Sequence, residues 1–164
     1  MNTFDVLNPN NTMSIVKQPG FHLAGIKLKG KTTNANGQSA IDCGNLWQEF
    51  QQGNYAAKVK EKAGEEVYAV YYDYDSDHTA PYAYFIGSRV NDESAVPEGM
   101  EHLFIPEGEY NKLTAQGKMP DCVADKWREI WSSDISRGYK FDFEVYDARS
   151  WDWANATVDV FLSI

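Results

Sequence analysis

Apolar and polar residues alternate most strictly in two stretches, Phe141-Asp142-Phe143-Glu144-Val145-Tyr146 and Val158-Asp159-Val160-Phe161-Leu162-Ser163-Ile164. A period of two, carried by β-branched and aromatic residues, predicts strands. Further strands are expected over 66–73, 81–90 and 100–105, and, after a Pro-Glu-Gly turn at 106–108, over 109–115. Near the start, 14–17 and 21–29 flank a Pro19-Gly20 turn or bulge. Helical spacing occurs twice. Val123, Trp127, Ile130 and Trp131 follow i, i+4, i+7, i+8, with Asp121 after Pro120 as N-cap, and predict a helix over 121–134. Cys43, Leu46, Trp47 and Phe50 follow i, i+3, i+4, i+7, with Asp42 as cap and Gly53 as stop, and predict a helix over 42–52. A short extra helix is expected over 54–62, ended by Gly64.

The order is strand, helix, strand, strand, and then the same again. Two halves, about 13–90 and 100–164, are joined by the polar, turn-forming stretch 91–99 within one domain spanning 1–164. Glu66-Val67-Tyr68 and Glu144-Val145-Tyr146 fall after the helix in each half and suggest a duplication. The fold class expected is α+β: an antiparallel sheet built from two pseudo-twofold β-α-β-β halves, with both helices on one face and a cleft between the halves. Such interfaces are common ligand sites.

Charge narrows the function. Fifteen Lys+Arg stand against 24 Asp+Glu, a net charge of -9. That argues against phosphate-neutralising binding to DNA or RNA and against docking on an anionic membrane. Aromatic residues form 14% of the chain, including five Trp and ten Tyr, too many for a disordered chain. Acidic charge with many aromatic faces suits a cationic or flat apolar partner. Met1 to Thr12 is polar, without the basic and apolar regions of a signal peptide, and no stretch approaches the ~20 apolar residues of a membrane span. Cys43 and Cys122 are expected as small buried hydrophobes in a reducing cytoplasm.

Neither G-x-x-x-x-G-K-[ST] nor G-x-G-x-x-G occurs, so no nucleotide cofactor is expected. His22, His78 and His102 lie far apart without ligand spacing, so no metal site is expected. Glu144 shares a strand face with Asp142 and Tyr146. Either that face is solvated, or Glu144 lies on the floor of the cleft ringed by aromatics, where a buried carboxylate favours a ligand cation. Aromatic walls add cation–π attraction of ~0.5–2 kcal/mol each. Candidates are Trp47 and Phe50 on the first helix, Trp127 and Trp131 on the second, and Tyr68, Tyr72 and Tyr84 on strands. Trp151 and Trp153 fall in the 149–155 loop and either cover a sheet end or form a lid.

Gly25 after an apolar strand, Tyr84-Phe85-Ile86-Gly87, Val96-Pro97-Glu98-Gly99, Ile105-Pro106-Glu107-Gly108-Glu109-Tyr110 and Phe143-Glu144-Val145-Tyr146-Asp147 follow in one order. This set resembles the GyrI-like small-molecule-binding domain, the effector-binding domain of AraC-type and MerR-type multidrug regulators, over about 13–164. The resemblance implies two β-α-β-β halves around a central cleft that binds hydrophobic cations. It implies that Glu144 faces the positive charge with Tyr146 beside it, and that Tyr110 is structural. In regulators this domain follows a helix-turn-helix segment, and none is expected here, because 1–12 is too short to hold one. The chain therefore looks like a stand-alone member such as those carried on integron cassettes.

The function expected is non-enzymatic binding of lipophilic cationic aromatic molecules, for drug sensing or sequestration. The site residues expected are Glu144, Tyr146, Trp47, Phe50, Trp131, Tyr68, Tyr72, Tyr84, Glu66 and Trp153. No catalytic residue, metal or cofactor is assigned. One alternative is a hydrolase of electrophilic cytotoxins, with Glu66 and Glu144 facing each other across the pseudo-twofold as a general acid/base pair. Another is a protein-binding module whose partner is a regulator or gyrase.

Overall fold

The computed structural model describes residues 13–164, so the expectation for Met1 to Thr12 lies outside the described residues. The elements are β1 (Ser14–Gln18), β2 (Phe21–Lys27), α1 (Gln38–Gln52), α2 (Tyr55–Lys58), β3 (Lys62–Tyr72) and β4 (Ala83–Val90). They continue with β5 (Glu101–Ile105), β6 (Gly108–Gly117), α3 (Asp121–Trp131), β7 (Asp142–Tyr146) and β8 (Ala156–Ser163). All eight strands form one antiparallel sheet in the order β1-β6-β8-β7-β3-β4-β2-β5. The order reads the same from either end once β1 is matched with β5, β2 with β6, β3 with β7 and β4 with β8. The halves are β2-α1-β3-β4 and β6-α3-β7-β8, and they meet at the β3–β7 pair.

The edge strands are exchanged between the halves: β1 pairs with β6, and β5 pairs with β2. This forces the sheet to curl. Only Pro19 and Gly20 join β1 to β2, a reach of at most ~11 Å. In a flat sheet those strands would stand six spacings apart, about 29 Å. The Pro106-Glu107 link between β5 and β6 imposes the same restraint from the other end. Ring contacts record the curl. Phe21 on β2 and Phe143 on β7 are three strands apart, yet their centroids lie 5.4 Å apart.

The curl explains the burial pattern. The concave face encloses an aromatic core of Phe21, Tyr68, Phe85, Tyr110, Phe143 and Phe161 with Leu23, Val70 and Ile105. The opposite face carries the helices. Leu46 and Phe50 of α1 pack on Ile26, Ala69, Tyr84 and Ile86, whereas Val123, Trp127 and Ile130 of α3 pack on Leu113 and the β8 row Val158, Val160 and Leu162. Both helices thus lie on one face, each over its own half.

Gly25 and Gly87 face each other across β2 and β4. A Cβ on Gly25 would sit 1.9 Å from the Ile86 carbonyl oxygen, and one on Gly87 would sit 2.6 Å from that of Ala24. The backbones here are too close for any side chain.

Strand positions agree with the sequence to within a few residues. Among the long helices, α1 starts four residues earlier than expected, and α3 starts at Asp121 as expected but ends three residues early, at Trp131. Gly37, in the left-handed region at φ 69°, caps α1, and Asp42 lies one turn inside. There the Asp42 carboxylate accepts hydrogen bonds from Thr32 and Gln38 instead. Pro120 is the N-cap residue of α3, with Asp121 in its first turn, and α2 is a single turn rather than a helix over 54–62. Among the described residues, no helix is long and apolar enough to cross a membrane. Cys43 and Cys122 are both free thiols, and half-buried rather than fully buried as expected.

Candidate functional site

The seam between the halves determines what lies on the helix-covered face. The β3–β7 register pairs Val67 with Tyr146, Ala69 with Glu144, and Tyr71 with Asp142. Residues directly opposite share a face, so Val67, Ala69 and Tyr71 point the same way as Glu144 and Tyr146. Glu144 lies under the gap between α1 and α3. A cavity of about 1190 Å³ fills that gap, with Glu144, Tyr71, Tyr84 and Tyr146 at its base and Trp47, Phe50, Trp127 and Trp131 on the helix walls.

Glu144 is 1% exposed. Its Oε1 accepts a hydrogen bond from the Tyr146 hydroxyl at 2.6 Å. Its Oε2 accepts from the Tyr71 hydroxyl at 2.8 Å and from the Trp127 indole Nε1 at 2.6 Å. All three donors are neutral, and no cationic side chain forms an ion pair with Glu144 among the described residues. Burial pushes its carboxyl above the ordinary value, and the three hydrogen bonds pull against that rise without cancelling it. Tyr71, Tyr84 and Tyr146 are driven well above the normal phenol value, first by burial and then by the Glu144 charge, so all three remain neutral.

The aromatic walls interlock the halves. Trp47 of α1 packs edge-on against Tyr146 of the second half at 4.9 Å, and Trp127 of α3 packs on Tyr71 of the first half at 4.8 Å. The two indoles differ in what they bind: Trp47 Nε1 donates to the Tyr84 hydroxyl at 2.8 Å, and Trp127 Nε1 to the carboxylate. At the mouth, Trp151 and Trp153 are 70% and 57% exposed. Their loop is fixed at both ends. Arg149 bridges Asp147 and Asp159 at 2.9 and 2.6 Å, and the Trp153 carbonyl accepts from the Met119 N–H at 2.8 Å.

Glu144, Tyr146, Trp47, Phe50, Trp131, Tyr84 and Trp153 line this one cavity. Three expected residues do not. Glu66, Tyr68 and Tyr72 belong to the other parity of β3. Tyr68 sits in the concave aromatic core, where its hydroxyl donates to Glu66 at 3.2 Å, and Tyr72 stacks on Phe141 at 5.6 Å. Glu66 and Glu144 therefore face opposite sides of the sheet and form no carboxylate pair. The sequence match between 66–68 and 144–146 is out of phase with the pseudo-twofold. The strand registers make Ala69 the counterpart of Glu144, and Tyr71 that of Tyr146.

Of the three groups that hold Glu144, Tyr71 and Trp127 are missing from the final expected set, although Trp127 is among the candidate wall residues. The signal for Trp127 was present in its helical spacing. For Tyr71 none was, because both faces of β3 are apolar. His22 and His102, 80 residues apart, meet at 2.9 Å on the β2–β5 edge, away from the cavity, and His78 lines the cavity wall. No cluster of three or more metal-binding side chains occurs among the described residues.

The family model described as integron-associated effector binding protein, Cass2, matches residues 14–164. An integron cassette protein from the mobile metagenome of Vibrio cholerae is 31% identical, with 92% of this chain and 94% of that chain covered at a TM-score of 0.72. The protein SAV2435, solved bound to tetraphenylphosphonium, has the same fold at 15% identity, with 92% of each chain covered and a TM-score of 0.72. The C-terminal domain of EcmrR shares the fold at 11% identity and a TM-score of 0.58, covering 93% of this chain and 96% of that domain. Comparison with curated proteins returned no match.

Proposed function

Because this chain belongs to the integron-associated effector binding protein family, we propose that it binds lipophilic, cationic aromatic small molecules in the inter-helix cavity, with Glu144 facing the ligand's positive charge. One observation carries the reading. Glu144 is a buried carboxylate held by three neutral donors, with no protein cation paired to it among the described residues. Burying such a charge is costly unless a counter-charge arrives. A delocalised or quaternary cation meets that need with little dehydration cost, and the rings of Trp47, Trp127 and Tyr146 supply cation-attracting faces. A cavity of about 1190 Å³ accommodates a ligand of several rings. Support of a general kind comes from SAV2435, a protein of the same fold that was solved with a lipophilic cation bound.

The test is tryptophan fluorescence titrated with phenyltrimethylammonium and tetraphenylphosphonium, alongside tert-butylbenzene as the neutral isostere of the first. Preferential binding of the cation over its isostere is expected. Equal affinity for phenyltrimethylammonium and tert-butylbenzene removes Glu144 from the role.

A further inference from the structure

The cavity wall also holds a buried group of opposite charge to Glu144. Arg137, from the loop between α3 and β7, lines the cavity, and its side chain is 4% exposed. Its Nη2 donates to Asp142 Oδ2 at 2.7 Å. Its Nε and Nη1 are buried and have no hydrogen-bond partner among the described residues. Asp142, by contrast, is saturated. Besides Arg137 it accepts from the Tyr74 hydroxyl at 2.6 Å, and from the Ser163 backbone N–H and hydroxyl at 2.7 and 3.0 Å. One partner of this ion pair has every need met, and the other keeps unused donors.

What surrounds those donors is aromatic. The guanidinium carbon lies 4.3 Å from the Tyr139 ring centroid and 5.7 Å from that of Trp127. Ring faces attract the charge but accept N–H groups only weakly, and a buried donor left without an acceptor is destabilising. Trp127 is also the residue whose indole holds Glu144. The carboxylate and the guanidinium therefore bracket one tryptophan.

We propose that Arg137 forms a second subsite of the cavity, which takes an uncharged carbonyl oxygen (ketone, ester or amide) of the same ligand whose cation faces Glu144. The inference rests on the cavity being the ligand site proposed above. Asp142 already balances the guanidinium charge, so the subsite calls for a dipole. A second carboxylate would add repulsion from Asp142. An entering oxygen displaces the Tyr139 ring, which comes from the 132–141 loop rather than from the sheet. The preferred ligand is then a flat aromatic cation carrying a carbonyl group on the side away from its charge.

Four probes separate the two subsites: 4-acetylphenyltrimethylammonium, its 4-isopropenyl isostere, and the two corresponding tert-butyl compounds without charge. Affinities are measured by tryptophan fluorescence on the parent chain and on Arg137→Lys, which keeps the ion pair to Asp142 but removes the guanidinium fork. Acetyl is expected to beat isopropenyl by about tenfold or more in the parent, in both the charged and uncharged pairs, as for a hydrogen bond to a charged donor. That preference is expected to shrink to within about threefold in Arg137→Lys, while the preference for the charged probes persists. Acetyl and isopropenyl probes binding within twofold of each other in the parent overturn the subsite and leave the Glu144 reading standing. A 4-carboxyphenyl probe that binds more tightly than the acetyl one overturns the uncharged-acceptor assignment. Loss of the charge preference alone overturns the Glu144 reading, and failure of all four probes to bind overturns both.

Discussion

Ala69 and Glu144 are direct partners across the central seam of the sheet, the third of the five residue pairs that join β3 to β7. A twofold through that seam exchanges them, so the duplicated scaffold carries a methyl group at one copy of the position and a carboxylate at the other. Both are buried. The small partner leaves room above the seam, and the symmetry-related Tyr71 and Tyr146 then reach the same carboxylate from opposite sides. The site thus has a buried carboxylate at the axis of a nearly symmetric aromatic box.

Replacing Glu144 by Gln keeps the size and removes the charge. A charge-assisted interaction in a desolvated site contributes about 1.5–3 kcal/mol, which corresponds to about a 10- to 150-fold loss of affinity for phenyltrimethylammonium. Circular dichroism is expected to match the parent. Binding within twofold of the parent would return Glu144 to a purely structural role.

Affinity for cations is expected to rise with pH. Burial holds the Glu144 carboxyl above the ordinary 4.5, so in the free protein the proton is released only above that value, and the cation must compete with it. Stability runs the other way. Between the ordinary and the raised value the folded chain binds more protons than the unfolded chain. The contribution of Glu144 to stability is therefore fully present below 4.5 and is lost as pH rises through the raised value. In titrations and urea melts across pH 4 to 9, the difference between the parent and Glu144→Gln should show both trends.

Trp127→Phe removes one of the three donors that hold the carboxylate charged. The midpoint of the pH–affinity profile should move upward, and cation affinity at neutral pH should fall. Trp47→Phe, whose indole donates to Tyr84 instead, should weaken binding without moving that midpoint. Identical midpoints in Trp127→Phe and the parent would contradict the assigned hydrogen bond.

Gly25→Ala tests the close backbone approach in the first half. The added Cβ meets the Ile86 carbonyl at 1.9 Å, and neither strand is free to move, because β2 and β4 are each paired on both sides. A loss of about 3 kcal/mol or more is expected, at or beyond the usual range for overpacking. Chemical denaturation measures it. Gly44→Ala, where an added Cβ meets nothing, is the control and should be neutral or slightly stabilising.

Much of the architecture was legible in the sequence. Period-two and period-3.6 patterns located the strands and both long helices, because each element buries one face and the pattern follows directly from backbone geometry. Glu144 stood out in its strand, and Trp47, Phe50 and Trp131 by helical spacing. What the pattern did not decide was the phase of β3. An ordinary one-sided sheet would show one polar face there. In this chain the helices cover Val67, Ala69 and Tyr71, and the curl of the sheet covers Tyr68 and Val70, so both faces read as apolar. That ambiguity placed Tyr68 and Tyr72 at the site in place of Tyr71, and the out-of-phase match of 66–68 with 144–146 placed Glu66 there. The curl follows from the exchange of β1 and β5 between halves, a long-range pairing whose only local trace is two short links, Pro19-Gly20 and Pro106-Glu107. Local sequence determines which residues alternate. Only tertiary pairing decides which of the two faces looks onto the ligand cavity, because a shift of one residue along a strand turns every side chain over.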